Sequence, residues 1–139
     1  MKKIQYLIFI AIIGSFSNCK KEENYIPEVY VQTQILASEI GGIGQAIYIQ
    51  GGVRGIVIYH EGFDNYLAYD RACSYNPQDS CEQIELDDFK SPSFFIDSCC
   101  GSTFFLNDGT ASGGPTSLPL KQYNAITDGS YVYISNWPS

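Results

Sequence analysis

Histidine is the scarcest reactive side chain in this sequence: His60 is the only one in 139 residues. One imidazole excludes any site that needs two. With no G-x-S-x-G stretch and no paired acid–base motif, general acid–base and hydrolase chemistry lack obvious players, and no enzyme is expected. His60 closes the stretch GIVIYH (55–60) and reads as a strand-end residue. Basic residues are scarce as well, eight Lys and Arg against fifteen Asp and Glu. Lys2 and Lys3 lie in the leader, so from residue 20 onward six bases face fifteen acids, a net charge of −9. Nucleic acid is thereby excluded as a partner, because phosphate contacts need a basic patch. No segment sustains a helical period over three turns. GGIG (41–44) is followed by the strand-like QAIYIQ rather than a helix, which removes the context of a dinucleotide fingerprint.

Long apolar runs are also missing. The longest, residues 4–13, is too short for a membrane span of about 20 residues. It follows Lys2-Lys3 and precedes small polar residues and Cys19, the pattern of a secretory signal over residues 1–19. Cys19 resembles the lipidated first residue of a bacterial lipoprotein, although Phe16 and Asn18 make a loose lipobox. KKEENYIP then resembles the charged tether of such proteins, giving a tether over 20–28 and a domain over 29–139. The resemblance implies an exported chain held to a membrane by lipid, at the periplasmic or outer-membrane surface. Stable anchoring of this kind needs more than one acyl chain.

What remains is rich in short apolar and aromatic runs, with eleven Tyr and eight Phe. VYVQTQI (29–35) alternates as a half-buried strand should. AIYIQ (46–50), GIVIYH (55–60), NYLAYD (65–70), SFFID (93–97), TFFL (103–106), KQYNAIT (121–127) and SYVYIS (130–135) read as further strands. Turns are expected at Glu61-Gly62 and Asp128-Gly129. Short strands with frequent turns predict one all-β domain, an antiparallel sandwich or small barrel. ELDD (85–88) lacks the spacing of a calcium loop and reads as solvated turn. Four cysteines lie beyond Cys19: Cys73, Cys81, Cys99 and Cys100. In an exported protein, four thiols tend to pair.

The cysteines sit in a recognisable frame. Asp97-Ser98-Cys99-Cys100-Gly101-Ser102 is followed by Phe104, Asp108-Gly109, Gly114-Pro115 and Pro119-Leu120, while Cys73-Ser74-Tyr75 follows the strand ending at Asp70. This frame, over roughly residues 28–136, resembles a Rieske iron–sulfur domain, whose cluster loops read C-x-H and C-x-x-H-G-S. In that family two cysteines hold one iron of a two-iron two-sulfur cluster and two histidines the other. The resemblance places Cys73, Tyr75, Asp97 and Cys100 at the four ligand positions, so only Cys73 keeps its residue type. The hydroxyl-bearing aromatic of the family is Phe104 here. Thiolate ligation favours such clusters, so these replacements imply that the cluster is lost.

The resemblance further implies two bridges between the loops, Cys81–Cys99 and Cys73–Cys100, each worth about 3 kcal/mol on the loop-entropy model. The crossed pairing Cys73–Cys99 with Cys81–Cys100 stays open. The implied function is a cluster-free, Rieske-like lipoprotein of the cell envelope, with no cofactor, a disulfide-stapled module presenting its loops to an unspecified protein partner. The alternative is an electron carrier with a two-iron two-sulfur cluster or a single metal at Cys73, Tyr75, Asp97 and Cys100. Thiol–disulfide enzymology is the weakest reading, since no C-x-x-C stands at a helix N-terminus.

Overall fold

The computed structural model describes residues 26–136. The expected signal segment, Cys19 and most of the expected tether lie outside the described residues. Packing reaches back to residue 26: Ile26 is buried, and Glu28 Oε2 pairs with Lys121 Nζ at 2.6 Å.

Among the described residues, ten strands and one short helix follow in chain order: β1 (Gln32–Leu36), α1 (Ala37–Ile40), β2 (Ala46–Ile49), β3 (Ile56–Gly62), β4 (Asn65–Asp70), β5 (Ile84–Leu86), β6 (Phe94–Asp97), β7 (Thr103–Phe105), β8 (Ala111–Gly113), β9 (Gln122–Thr127) and β10 (Tyr131–Ser135). They form a six-stranded sheet, β1-β10-β9-β4-β3-β2, and a four-stranded sheet, β5-β6-β7-β8. Every pairing is antiparallel. The larger sheet curls into a half-barrel, and the smaller one packs beside it. The all-β expectation therefore holds.

The centre of the large sheet explains the unbroken apolar run IVI. Val57 and Tyr69 pack toward the small sheet with Phe95, Phe104 and Leu120. Ile56, Ile58, Tyr66 and Ala68 face the other way, onto Val132 and Ile134. Strands buried on both faces lose the polar half of their alternation. β1 is an edge strand that starts at Gln32 rather than at 29, but the expected alternation over 29–35 is largely kept: Val31 is buried and Ile35 half-buried, while Tyr30, Gln32 and Gln34 are exposed. β3 continues through Glu61-Gly62 past a bulge, so the turn falls at Phe63-Asp64, where Asp64 adopts φ 51°. β5 is also a difference from expectation: Glu85 and Leu86, read as solvated turn, belong to a strand, and Leu86 is buried against the core. Three-residue strands such as β5 and β8 are too short to show a period.

Beneath the loops a buried carboxylate fixes the frame. Asp70, at the end of β4, is fully buried and accepts four hydrogen bonds. Its Oδ2 takes Val53 N (2.6 Å) and the Tyr123 hydroxyl (2.7 Å); its Oδ1 takes Ala72 N (2.8 Å) and Arg54 N (3.2 Å). The β2–β3 turn can approach because residue 52 is glycine. Its φ is +60°, and a Cβ there would stand 2.3 Å from Asp70 Oδ2.

Candidate functional site

Three loops meet at one end of the domain. The first joins β4 to β5. It is closed by the Ala72–Gln83 bridge and by Cys73 N donating to Glu82 O at 3.3 Å, so Cys73 and Glu82 stand opposite each other. The Arg54 guanidinium pins its outer part, donating to Asp79 O at 2.6 Å and Ser80 O at 3.3 Å. The second loop is the tight turn between β6 and β7. Asp97 Oδ1 accepts the N–H groups of Cys99 (2.7 Å) and Cys100 (3.3 Å), and Gly101 N donates to Asp97 O (2.8 Å). An aspartate capping the turn that follows it is the ordinary chemistry of an Asx turn.

The third loop, 114–121, covers the other two. Ser74 Oγ donates to Leu118 O at 2.7 Å and meets Thr116 Oγ1 at 3.2 Å. Gly114 lies on the second loop: a Cβ there would stand 2.4 Å from Ser102 Cα and 2.7 Å from Gly101 O, at a φ of +89°. Only glycine fits such a contact.

Cys81 and Cys99 are joined by a disulfide across the first and second loops, with Cα atoms 5.8 Å apart. This linkage leaves no partner for the crossed arrangement. The expected Cys73–Cys100 bridge is not formed. Both are free thiols, with Sγ atoms 3.8 Å apart, well beyond a disulfide bond of about 2.05 Å. The Cys100 thiol instead donates to Ser102 Oγ at 3.0 Å, and Ser102 N points at Cys100 Sγ at 3.4 Å.

The alternative ligand set also needs correction. Cys73, Asp97 and Cys100 do converge, but Tyr75 points out, 38% exposed. Glu82 takes its place. One ligand atom from each of Cys73, Glu82, Asp97 and Cys100 lies within 4.8 Å of all the others. Cys73 and Asp97 are fully buried and Glu82 is 5% exposed. Asp97 Oδ2 and Glu82 Oε2 are buried without a hydrogen-bond partner. Burial pushes the Cys73 thiol well above its ordinary range, against a hydrogen bond from the Tyr75 backbone, while Asp97 adds to the rise. Burial likewise raises the Glu82 carboxyl. The thiols of Cys100 and Cys73 pull the other way, and the Asp97 carboxylate adds to the rise.

Glu82 was hidden inside NPQDSCEQ, which reads as an exposed loop. A signal for it exists in the strand period. Glu82, Ile84 and Leu86 are all buried while Glu85 between them is exposed, so Glu82 sits on the inner face as an extension of β5. His60 is remote from this group: its Nδ1 lies 2.8 Å from Gly41 O, and its ring stacks on Tyr66.

No protein-family profile matches this chain, and no curated protein does. Solved structures do. The ferredoxin of carbazole 1,9a-dioxygenase from Nocardioides aromaticivorans IC177 superposes with a TM-score of 0.53 at 16% identity, covering 79% of this chain and 100% of that one. A Sphingomonas yanoikuyae B1 ferredoxin gives 0.53 at 16% identity, covering 78% and 100%. The complex of oxygenase and ferredoxin in carbazole 1,9a-dioxygenase gives 0.54 at 16%, covering 81% and 98%. These are Rieske-type ferredoxins, and at this identity the likeness establishes the fold: the domain is Rieske-like.

Proposed function

We propose that this chain is an exported, lipid-tethered domain that keeps the Rieske fold and its loops without the two-iron two-sulfur centre. In this reading it serves at the cell envelope as a binding and structural module rather than as an electron carrier or an enzyme. The observation that carries it is the donor set. The group between the loops holds Cys73, Glu82, Asp97 and Cys100, with no imidazole. The second iron of a Rieske centre is held by two histidines, and His60 is committed elsewhere. In the resemblance, the Cys73 and Cys100 positions serve opposite irons. Ligands of opposite irons are held apart by the two-iron core, whereas these sulfurs stand 3.8 Å apart.

Export and tethering rest on the leader and Cys19. The loops remain rigidly held by the Cys81–Cys99 disulfide and the Arg54 contacts, and Tyr75 and Leu118 are exposed among them. A stiff loop end on a β scaffold is the natural face for an unspecified protein partner.

The test is anaerobic purification of the full chain from membranes, with iron and acid-labile sulfide assayed and the reduced sample examined by electron paramagnetic resonance. The expected result is no labile sulfide and no reduced-cluster signal, with diacylglycerol mass on Cys19. Two irons and two sulfides per chain, with a reduced-cluster signal, would return the protein to the electron carriers.

A further inference from the structure

The same four residues bring their donor atoms together at one place between the loops. We propose that Cys73, Glu82, Asp97 and Cys100 form a mononuclear site for a zinc-like divalent cation. The site ties the first loop to the second. This inference rests on the reading that no two-iron centre forms here.

The geometry is the first argument. Two thiolates bound at about 2.3 Å to a tetrahedral zinc stand about 3.8 Å from each other. Cys73 Sγ and Cys100 Sγ are 3.8 Å apart. All four donor atoms lie within 4.8 Å of one another, so side-chain shifts of about 1 Å bring them to the edges of one tetrahedral site.

The second argument is the unmet demand for a positive partner. Asp97 Oδ2 and Glu82 Oε2 are buried without a regular hydrogen-bond partner, and their close neighbours are the two thiols and each other's carboxyl. Buried polar groups are nearly always satisfied, and each exception calls for a cause. No His belongs to the group, and the ion pairs of the described residues, Arg71–Glu85 and Lys121–Glu28, involve neither Asp97 nor Glu82. A cation between the two carboxylates and the two sulfurs supplies what the protein does not.

The third is the support behind each ligand. Asp97 is oriented through its other oxygen by the Cys99 and Cys100 amides. The Ser102 amide faces Cys100 Sγ, and Cys73 is held by its own amide on Glu82 O. Outer contacts that fix the ligands are typical of metal sites. Asp97-x-x-Cys100 also has the short spacing of a zinc knuckle, with Asp in the place of the first Cys.

The donor set selects the class of ion. Two thiolates disfavour calcium and magnesium, which take six or more oxygens. Two carboxylates disfavour copper(I), which prefers sulfur throughout. Fully ionised, the four ligands carry the same charge as a Cys₄ zinc site. Four protein donors leave no open position, so the site is structural rather than catalytic.

Cobalt(II) is the probe, added anaerobically to metal-stripped full chain with the Cys81–Cys99 disulfide intact. The expected result is one cobalt per chain, with a thiolate-to-cobalt charge-transfer band and the intense visible bands of a tetrahedral ion, displaced by one equivalent of zinc. E82Q and D97N should each weaken cobalt binding at least tenfold, while E85Q, on exposed β5 surface, leaves it unchanged. In wild-type protein, zinc should also shield the part-exposed Cys100 from alkylation, a readout that needs no variant to fold. An octahedral or absent cobalt spectrum, a Cys100 thiol unshielded by zinc, or full binding by E82Q would overturn the site. A Cys73–Cys100 disulfide in freshly purified protein, without metal, would overturn it and leave the cluster-free reading standing. Two irons with two sulfides would overturn both.

Discussion

Replacing Asp70 by Asn tests the frame that holds the first loop in place. The change keeps the side-chain shape and removes the charge. Four donors converge on this carboxylate: Val53 N and the Tyr123 hydroxyl on Oδ2, Ala72 N and Arg54 N on Oδ1. An amide must put its NH₂ where one oxygen stood. Facing it toward Tyr123 is the better choice, because a hydroxyl can turn and accept. Val53 N, 2.6 Å from Oδ2, then faces a donor with no acceptor. A hydrogen bond to a charged group is worth about 1.5–3 kcal/mol, and the two bonds on the other oxygen weaken when they lose charge assistance. Relief from burying a charge offsets part of this. The expected net loss is about 3 kcal/mol, a large share of a typical domain's stability. Tyr123→Phe removes one donor and leaves none orphaned, so it should cost only about 1 kcal/mol. Urea unfolding followed by far-UV circular dichroism gives both values, provided the slope m is unchanged. Amide exchange should accelerate first at Val53, Arg54 and Ala72. A D70N variant within about 0.5 kcal/mol of wild type would refute the reasoning.

Removing the disulfide with C81S/C99S should cost about 3 kcal/mol, since it closes a loop of 18 residues; a urea midpoint that does not move would contradict this. Gly114→Ala should cost about 2 kcal/mol, because the new methyl meets the backbone of Gly101 and Ser102 at a left-handed φ, and unchanged stability would mean the covering loop is free to shift. Acid should weaken the fold through Asp128 and Asp108. Amides of Tyr131 and Ser130 and the Tyr133 hydroxyl hold Asp128 below its usual 3.8, and the Thr110 amide and hydroxyl do the same for Asp108. A carboxyl lowered in the folded state stabilises fully above its unfolded pKa, and the benefit disappears as pH falls through the folded one. Stability should therefore decline below about pH 4, and D128N should flatten part of that decline in urea midpoints taken at successive pH values.

The strand pattern was legible because alternation and turn residues are local properties. NYLAYD is β4 to the residue, and Asp128-Gly129 makes the β9–β10 turn through Asp128 Oδ1 bonding to Ser130 N and Tyr131 N. The loop frame was legible through its resemblance to the Rieske loops, whose Gly101-Ser102 turn and Gly114-Pro115 cover the structure places side by side. The errors were of another kind. β1 is shorter than its alternating stretch, because pairing with β10 begins only at Gln32. ELDD looked solvated until pairing with β6 put Leu86 in the core.

The candidate site divides along the same line. In the sequence, the resemblance to a Rieske frame placed Cys73 and Cys100 in its two loops, and composition alone showed that the imidazoles of such a frame are missing, with one His in the chain. Which side chains complete the group was decided by folding. Tyr75 follows Cys73 by two residues yet turns outward, whereas Glu82, nine residues on, is carried inward by the Ala72–Gln83 bridge and the inner face of β5. Whether two facing thiols are bonded or merely close depends on the distance between two loops held by a separate disulfide and a buried aspartate. That distance is a property of the whole packed frame and is encoded in no single stretch of chain.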